Sequence, residues 1–273
     1  MEKAKHLFDH LWNDYISLNP EARRIYDLFT AEGETVVNDH IAFRTFEDSR
    51  VNIDVLAKPF IEAGYEYKGE YKFEIKKLYA RHFELVSFLE APRIFISQLK
   101  TSLFSQSLQN IVKEIIDQIP EEILQSERLV YSGNLWGAPS HKVYQELRKE
   151  SEYAAWVYVF GFRANHFTVS VNNLKKFGSL EKVNRFLKDH GFLLNDSAGE
   201  IKGTPADLLE QSSTRSGIIP VTFAEGTYPV PSCYYEFARR YNDSSGKLYL
   251  GFVAKSADKI FESTDFYEKK SNQ

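Results

Sequence analysis

Two histidines and one glutamate stand apart in this chain because each interrupts an apolar or aromatic run that reads as a β-strand. His40 lies in "NDHIAFR", His166 in "ANHFTVSV" and Glu236 in "YYEFARR". Side chains alternate along a strand, so residues i and i±2 share a face. On those faces the neighbours Ala42, Thr168 and Ala238 are small and leave room for an ion and a second molecule. Two imidazoles and a carboxylate leave open positions on an octahedral ion, the arrangement that suits non-haem Fe(II) enzymes using oxygen. The same three ligands are a known zinc set, so residue types do not choose the metal. Arg44 shares the His40 face roughly 13 Å along the strand, while Val37, Ile41, Phe43 and Thr45 fall on the other. A guanidinium there can bind a carboxylate bidentately. Its ordinary alternatives are snorkelling to solvent or pairing with a structural Asp or Glu.

Other residues compete for these roles. His82 and Glu84 alternate in "RHFELV" and are rival ligands on spacing alone. Glu236 could equally be a charge that protects a sheet edge from aggregation, and His190 suits the C-terminal end of a helix. Cys233, alternating along the Glu236 strand, is read as a small apolar filler facing away from the carboxylate.

The elements that must position these groups follow from patterning. Residues 3–32 read as two short helices, with Asn19 as a cap and Pro20 at the first helical position of the second. The strand 36–46 is followed by a helix over "SRVNIDVLAKPFIEAGYEY", stopped by Gly64, and by strand candidates "GYEYKGEY", "KKLYARHFELVSF" and "PRIFISQL". Residues 165–237 repeat that order: the strand "ANHFTVSV", the helix "SLEKVNRFLKDHGFLL" stopped by Gly191, then further strands ending in "SCYYEFARRY". Residue identity between the halves is negligible, so the repeat is one of pattern, expected of a β-α-β-β-β unit used twice. The stretch between them is mostly helical and reads as an insertion over the sheet.

Composition sets the remaining bounds. A chain of 273 residues with 43% hydrophobic and 26% charged residues is ordinary for a soluble protein with a sizeable core. Sixteen Tyr and twenty-one Phe favour sheet-rich structure. A net charge of −4, with no long Lys/Arg cluster, argues against nucleic acid or anionic membranes as partners. No apolar run approaches a membrane span, and the start reads as an amphipathic helix rather than a signal peptide. A single cysteine permits no intrachain disulfide, and a reducing cytoplasm is the expected location.

Taken together and in this order, "NDHIAFRTF", "NHFTV", "YYEFARR" and "GFVAKSADKIFEST" resemble the 2-oxoadipate dioxygenase/decarboxylase family, long known only as a domain of unknown function and related in fold to vicinal-oxygen-chelate enzymes. The resemblance runs from about residue 5 to 265. It implies metal ligands at His40, His166 and Glu236, a substrate-binding Arg44, and substrate contacts at Lys255 and Ser256. At Lys255 the better-known bacterial members, which are also much longer, carry an apolar residue. The fold implied is α+β: two vicinal-oxygen-chelate-like β-α-β-β-β modules forming a curved sheet around a metal site, with a helical N-terminus and a helical insertion. The whole chain 1–273 is expected to be one catalytic domain, with module one at about 36–100, the insertion at about 101–155 and module two at about 156–265. In such folds the first and last strands of each module offer ligand positions, and the fourth, in "RIFISQL", carries no good ligand.

The activity implied is Fe(II)-dependent conversion of 2-oxoadipate and O2 to 2-hydroxyglutarate and CO2, a step of lysine catabolism. The partners are a small 2-oxo acid and O2; Zn, Ni or Mn are ions that a purified sample can carry in place of iron. Two other readings keep the fold: a glyoxalase-like isomerase or metal hydrolase, and a non-catalytic module that binds a small acid.

Overall fold

The computed structural model describes residues 2–253 except Leu89 and Ala198. The chain opens with α1 (Glu2–Leu18) and α2 (Pro20–Ala31). Leu7, Leu11 and Tyr15 recur every four residues along α1 and are buried, as an amphipathic stripe requires. Pro20 takes the first position of α2, but Asn19 does not cap it with its side chain. Its amide donates instead to the Tyr15 hydroxyl at 3.0 Å, and that hydroxyl donates to the Tyr234 carbonyl at 2.5 Å. A buried tie between the N-terminal helices and the region before Glu236 has displaced the local cap.

A first run of β1 (Asn38–Phe46), α3 (Ile53–Glu62), β2 (Tyr65–Phe73), β3 (Leu78–Leu85) and β4 (Arg93–Leu99) follows. Next come α4 (Gln106–Ile116), the single turn α5 (Glu121–Leu124), α6 (His141–Glu150) and α7 (Glu152–Phe160). A second run begins with β5 (Ala164–Ser170), α8 (Leu180–Asp189), β6 (Lys202–Thr204) and β7 (Leu209–Ser213). It is interrupted by the hairpin β8 (Ile218–Phe223) and β9 (Gly226–Pro231), then completed by β10 (Glu236–Arg240).

The two runs share one eight-stranded sheet of order β2-β3-β4-β1-β5-β10-β7-β6. In each, the first strand pairs parallel with the last, and the other neighbours pair antiparallel. The runs join antiparallel through β1 and β5, so a pseudo-two-fold axis passes through that seam. The expected double β-α-β-β-β connectivity is what the sheet displays. The crossover helices are built alike too. Asn52 caps α3 by accepting from the Val55 N–H at 3.1 Å, and Ser179 caps α8 by accepting from the Lys182 N–H at 3.4 Å. Both are followed by glycines in the left-handed region, Gly64 at φ +98° and Gly191 at φ +82°, where a side chain would be strained.

The hairpin was not anticipated. Pro220 and Pro229 within it cannot serve a sheet interior, and it forms a two-stranded sheet of its own. Its turn residue Glu225 accepts from the Ser140 hydroxyl at 2.6 Å and the His141 N–H at 2.7 Å, at the start of α6.

Both faces of the seam are covered. On the outer face Trp12 and Tyr15 of α1 pack on Phe167 of β5, ring centroids 5.1 and 4.9 Å apart. On the inner face lies α7, apolar all round and buried from Tyr153 to Phe160. The Tyr153 hydroxyl donates to the Ser97 carbonyl of β4 at 2.6 Å, and the Trp156 indole donates to the Ser232 carbonyl, just before β10, at 2.7 Å. One helix thus touches both runs.

Candidate metal centre

The register of the seam brings the three predicted residues together. Across β1 and β5, His40 faces Thr168 and Ala42 faces His166; across β5 and β10, Thr168 faces Glu236. His40, His166 and Glu236 therefore occupy one inner patch around Thr168, all buried.

The register slips twice at the seam, between Asn38 and His40 on β1 and opposite the Ala42–Phe43 step on β5. The extra residues are Asp39 and Asn165, each immediately before one of the histidines. A β-bulge re-aims a side chain that simple alternation would send to the other face. Here it sets Asp39 Oδ1 at 2.8 Å from His40 Nδ1, and Asn165 Oδ1 at 3.1 Å from His166 Nδ1. Each imidazole donates its Nδ1 proton to its preceding residue and presents Nε2 to the centre, the usual way a ligand histidine is oriented.

The donor atoms converge. His40 Nε2 lies 3.4 Å from His166 Nε2 and 3.4 Å from Glu236 Oε1, and His166 Nε2 lies 3.6 Å from Glu236 Oε2. Two donors each about 2.0–2.2 Å from one ion are roughly 2.8–3.6 Å apart at octahedral to tetrahedral angles, so the spacings fit a shared cation. Among the described residues this is the group of three or more His, Cys, Asp or Glu whose ligand atoms meet, within 4.8 Å of one another.

The hydrogen bonds around Glu236 point the same way. Its Oε1 accepts from the Gln211 amide at 2.6 Å and the Thr168 hydroxyl at 3.3 Å, whereas its buried Oε2 has no hydrogen-bond partner. Burial pushes the Glu236 carboxyl up against the pull of His40 and Gln211. His166 is held well below the ordinary imidazole range, first by burial and further by its neighbours His40 and Arg44, which keeps it neutral, as a ligand must be. A buried carboxylate oxygen with no proton donor, facing a neutral imidazole nitrogen, is a place a cation fits.

Asp39 anchors the site to the rest of the sheet. Burial would raise its carboxyl, but Arg240, with His40 and Arg93, holds it well below the usual carboxylate range. Arg240 donates to both of its oxygens, Nε to Oδ2 at 2.7 Å and Nη2 to Oδ1 at 2.9 Å.

The rivals are engaged elsewhere. His82 Nε2 lies 3.0 Å from Glu84 Oε1, and its Nδ1 lies 2.9 Å from the Tyr71 hydroxyl. The Phe252 ring packs against both His40 and His82, with centroids 4.9 and 5.4 Å away. Pseudo-symmetry also explains the missing fourth ligand. Glu236 pairs with the residue two past His166; its counterpart, paired with the residue two past His40, is Phe95 of "RIFISQL". Arg44 is buried on the His40 side of β1, its guanidinium carbon 5.1 Å from the ring centroids of both Tyr153 and Trp156 of α7. Lys255 and Ser256 lie outside the described residues.

Strand β10 starts at Glu236, so Cys233 precedes it, and its orientation does not follow from alternation along that strand; it is nevertheless fully buried. Sequence reading did not single out Asp39, Asn165, Gln211, Arg240 or Phe252. One signal was present: both candidate histidines follow an Asx residue.

Comparison with known proteins places this geometry. A family model described as 2-oxoadipate dioxygenase/decarboxylase matches residues 14–247. The rice protein (Oryza sativa subsp. japonica) named 2-oxoadipate dioxygenase/decarboxylase, chloroplastic/amyloplastic, is 37% identical, covering 92% of this chain and 75% of its own. The solved rice hydroxyglutarate synthase in complex with 2-oxoadipate is 35% identical with a TM-score of 0.88, covering 95% of this chain and 91% of that one. A Shewanella frigidimarina protein described provisionally as a hydrolase is 48% identical with a TM-score of 0.87, covering 92% and 97%. A Ralstonia eutropha protein of the glyoxalase superfamily, 20% identical with a TM-score of 0.72 over 92% and 86% of the two chains, shares the fold. The chain belongs to the 2-oxoadipate dioxygenase/decarboxylase family.

Proposed function

We propose that this chain is an Fe(II)-dependent enzyme that converts the 2-oxo diacid 2-oxoadipate and O2 to 2-hydroxyglutarate and CO2, with His40, His166 and Glu236 as the metal ligands. The observation that carries the reading is the convergence of the ligand atoms of these three buried residues, with Oε2 of Glu236 left without a hydrogen-bond partner, in a chain of this family. When bound, iron would supply chelation of the 2-oxo acid and the redox chemistry with O2.

The protein's own part is positioning. Asp39 and Asn165 fix the two imidazoles, and Gln211 with Thr168 holds one oxygen of Glu236 so that the other faces the centre. Arg44 is assigned the distal carboxylate of the substrate. A six-carbon diacid bound by its keto-acid end places the other carboxylate well away from the ligands, and Arg44 lies further along the same face of β1 than His40. Tyr153 and Trp156 lie against its guanidinium, and a planar guanidinium is the group that binds a carboxylate bidentately. The assignment of Lys255 and Ser256 to the substrate rests on their motif.

The test is anaerobic loading with Fe(II), then an oxygen-electrode assay over a panel of 2-oxo acids. Oxygen uptake matched one to one by CO2 and 2-hydroxyglutarate is expected with 2-oxoadipate. Turnover that needs no O2 would refute the reading and favour the isomerase or hydrolase alternative, the Shewanella relative being described as a hydrolase.

A further inference from the structure

Arg240 divides its fork between two structures. While Nε and Nη2 hold the carboxylate of Asp39, Nη1 donates to the main-chain carbonyls of Gly251 at 2.6 Å and Tyr249 at 3.2 Å. Its guanidinium carbon sits 5.1 Å from the centroid of the Phe252 ring. Phe252 stands edge-on to His40 at 4.9 Å and covers Phe95 at 4.8 Å, so it forms the wall of the centre on the side where a fourth ligand is missing. Its N–H donates to the Tyr71 hydroxyl at 3.1 Å, and the Tyr249 N–H donates to the Tyr241 carbonyl at 2.9 Å. One buried cation is thus shared between the carboxylate that orients His40 and the segment 249–252 that closes over it.

We infer that Arg240 is a positioning residue that couples docking of segment 249–252 to metal affinity at His40, His166 and Glu236. The inference rests on reading those three residues as a metal centre, and not on which reaction the centre performs. A guanidinium is a rigid plane of donors. With the segment docked, acceptors on two sides fix that plane, and the plane fixes Asp39 and hence the His40 ring. With the segment undocked, Nη1 loses both carbonyls inside the protein, where an unmet donor is costly, and the guanidinium turns to find others. The His40 ring loses its edge contact with Phe252 in the same step. Coupling of this kind is reciprocal: if the docked segment tightens metal binding by some factor, the metal must stabilise docking by the same factor.

Co(II) is the probe, read by its visible absorption as it titrates the metal-free protein, together with hydrogen exchange of the amides of Tyr249 and Phe252. Cobalt should slow exchange of these two amides by about 5- to 150-fold, the usual span of such couplings. Phe252→Ala removes no hydrogen bond to Asp39 and no ligand, yet should weaken cobalt binding by that same factor. Arg240→Lys keeps a charge beside Asp39 but cannot bridge both partners; it should bind cobalt 10- to 100-fold more weakly and lose the metal-dependent protection of the segment. A merely structural Arg240 would leave the exchange of 249–252 indifferent to cobalt. Native protein that binds one equivalent of cobalt without protecting the segment, or Phe252→Ala that binds it as tightly as native, would overturn the coupling. Native protein that binds no cobalt would overturn the metal-centre reading and the coupling with it. If Arg240→Lys does not fold, the native exchange measurement and Phe252→Ala decide the question.

Discussion

Asp39→Asn is the perturbation that separates two jobs done by one carboxylate. Asp39 accepts from His40 Nδ1 and from Arg240 Nε and Nη2, and it lies 3.4 Å from Arg93 Nη1. An amide of the same shape offers one acceptor where two were used and turns an N–H2 toward one of the Arg240 donors. The guanidinium is then buried without its counter-charge, a change that costs about 3–5 kcal/mol when one partner of a buried pair is removed. At about 2.1 cal/mol/K per residue, a chain of this length loses roughly 5–9 °C of Tm for that energy. Metal affinity should suffer less. Asn165 already holds His166 through an amide oxygen, so an asparagine at 39 makes the first half resemble the second, and a loss near 10-fold is expected, the low end for a residue that orients a ligand histidine. Thermal unfolding of the metal-free protein and a cobalt titration measure the two effects separately. A Tm within about 1 °C of native would show that the ion pair does not hold this part of the sheet. Abolished metal binding with an unchanged Tm would show that the charge, and not the orientation, of Asp39 serves the centre.

The remaining expectations concern single side chains. His40→Ala, His166→Ala and Glu236→Ala should each abolish stoichiometric iron while leaving the far-UV circular dichroism intact, because the sheet forms the site; iron retained by any one of them removes that residue from the ligand set. Arg44→Ala should keep iron and lose turnover of the diacid by about 2–5 kcal/mol, the cost of deleting one partner of a buried charge pair, or on the order of 30- to several-thousand-fold. An equal loss with a neutral-tailed 2-oxo acid would show that Arg44 does not read the distal carboxylate. Cys233 is fully buried and its thiol is pushed up to about 12 by burial, so a thiol reagent at pH 8 should label it only after unfolding; rapid labelling of the native protein would contradict that burial.

Most strands and both crossover helices were legible because they depend on local pattern; the same pattern raised the three convergent residues as candidates, but only the family motifs set them above His82 and Glu84. Alternation revealed His40 and Glu236 as intrusions into apolar runs, and Gly64 and Gly191 marked the ends of both helices. The groups that complete the centre depend on register and on distance along the chain. Asp39 and Asn165 reach their histidines only because each is a bulge residue, and a bulge appears when two strands are paired, not in either strand alone. The Asp39–Arg240 pair spans 201 positions. Gln211 meets Glu236 only through a strand order in which β7 is neighbour to β10. Asn19 shows the converse: its local signal predicted a helix cap, but its amide goes to Tyr15, which is itself tied to the distant Tyr234 carbonyl.

Phe95 has a consequence for charge. A divalent ion held by two neutral imidazoles and one carboxylate keeps a net charge of +1, which the carboxylate end of a 2-oxo acid neutralises. Had the position opposite Ala42 carried a second glutamate, as the pseudo-symmetry of the sheet would permit, the ion would already be neutral, and an arriving carboxylate would meet two anions in a medium where unlike and like charges are felt strongly. The phenylalanine therefore does more than leave a coordination position open. With an ion bound, it would leave the centre cationic, so that an anionic 2-oxo acid is attracted to it rather than repelled.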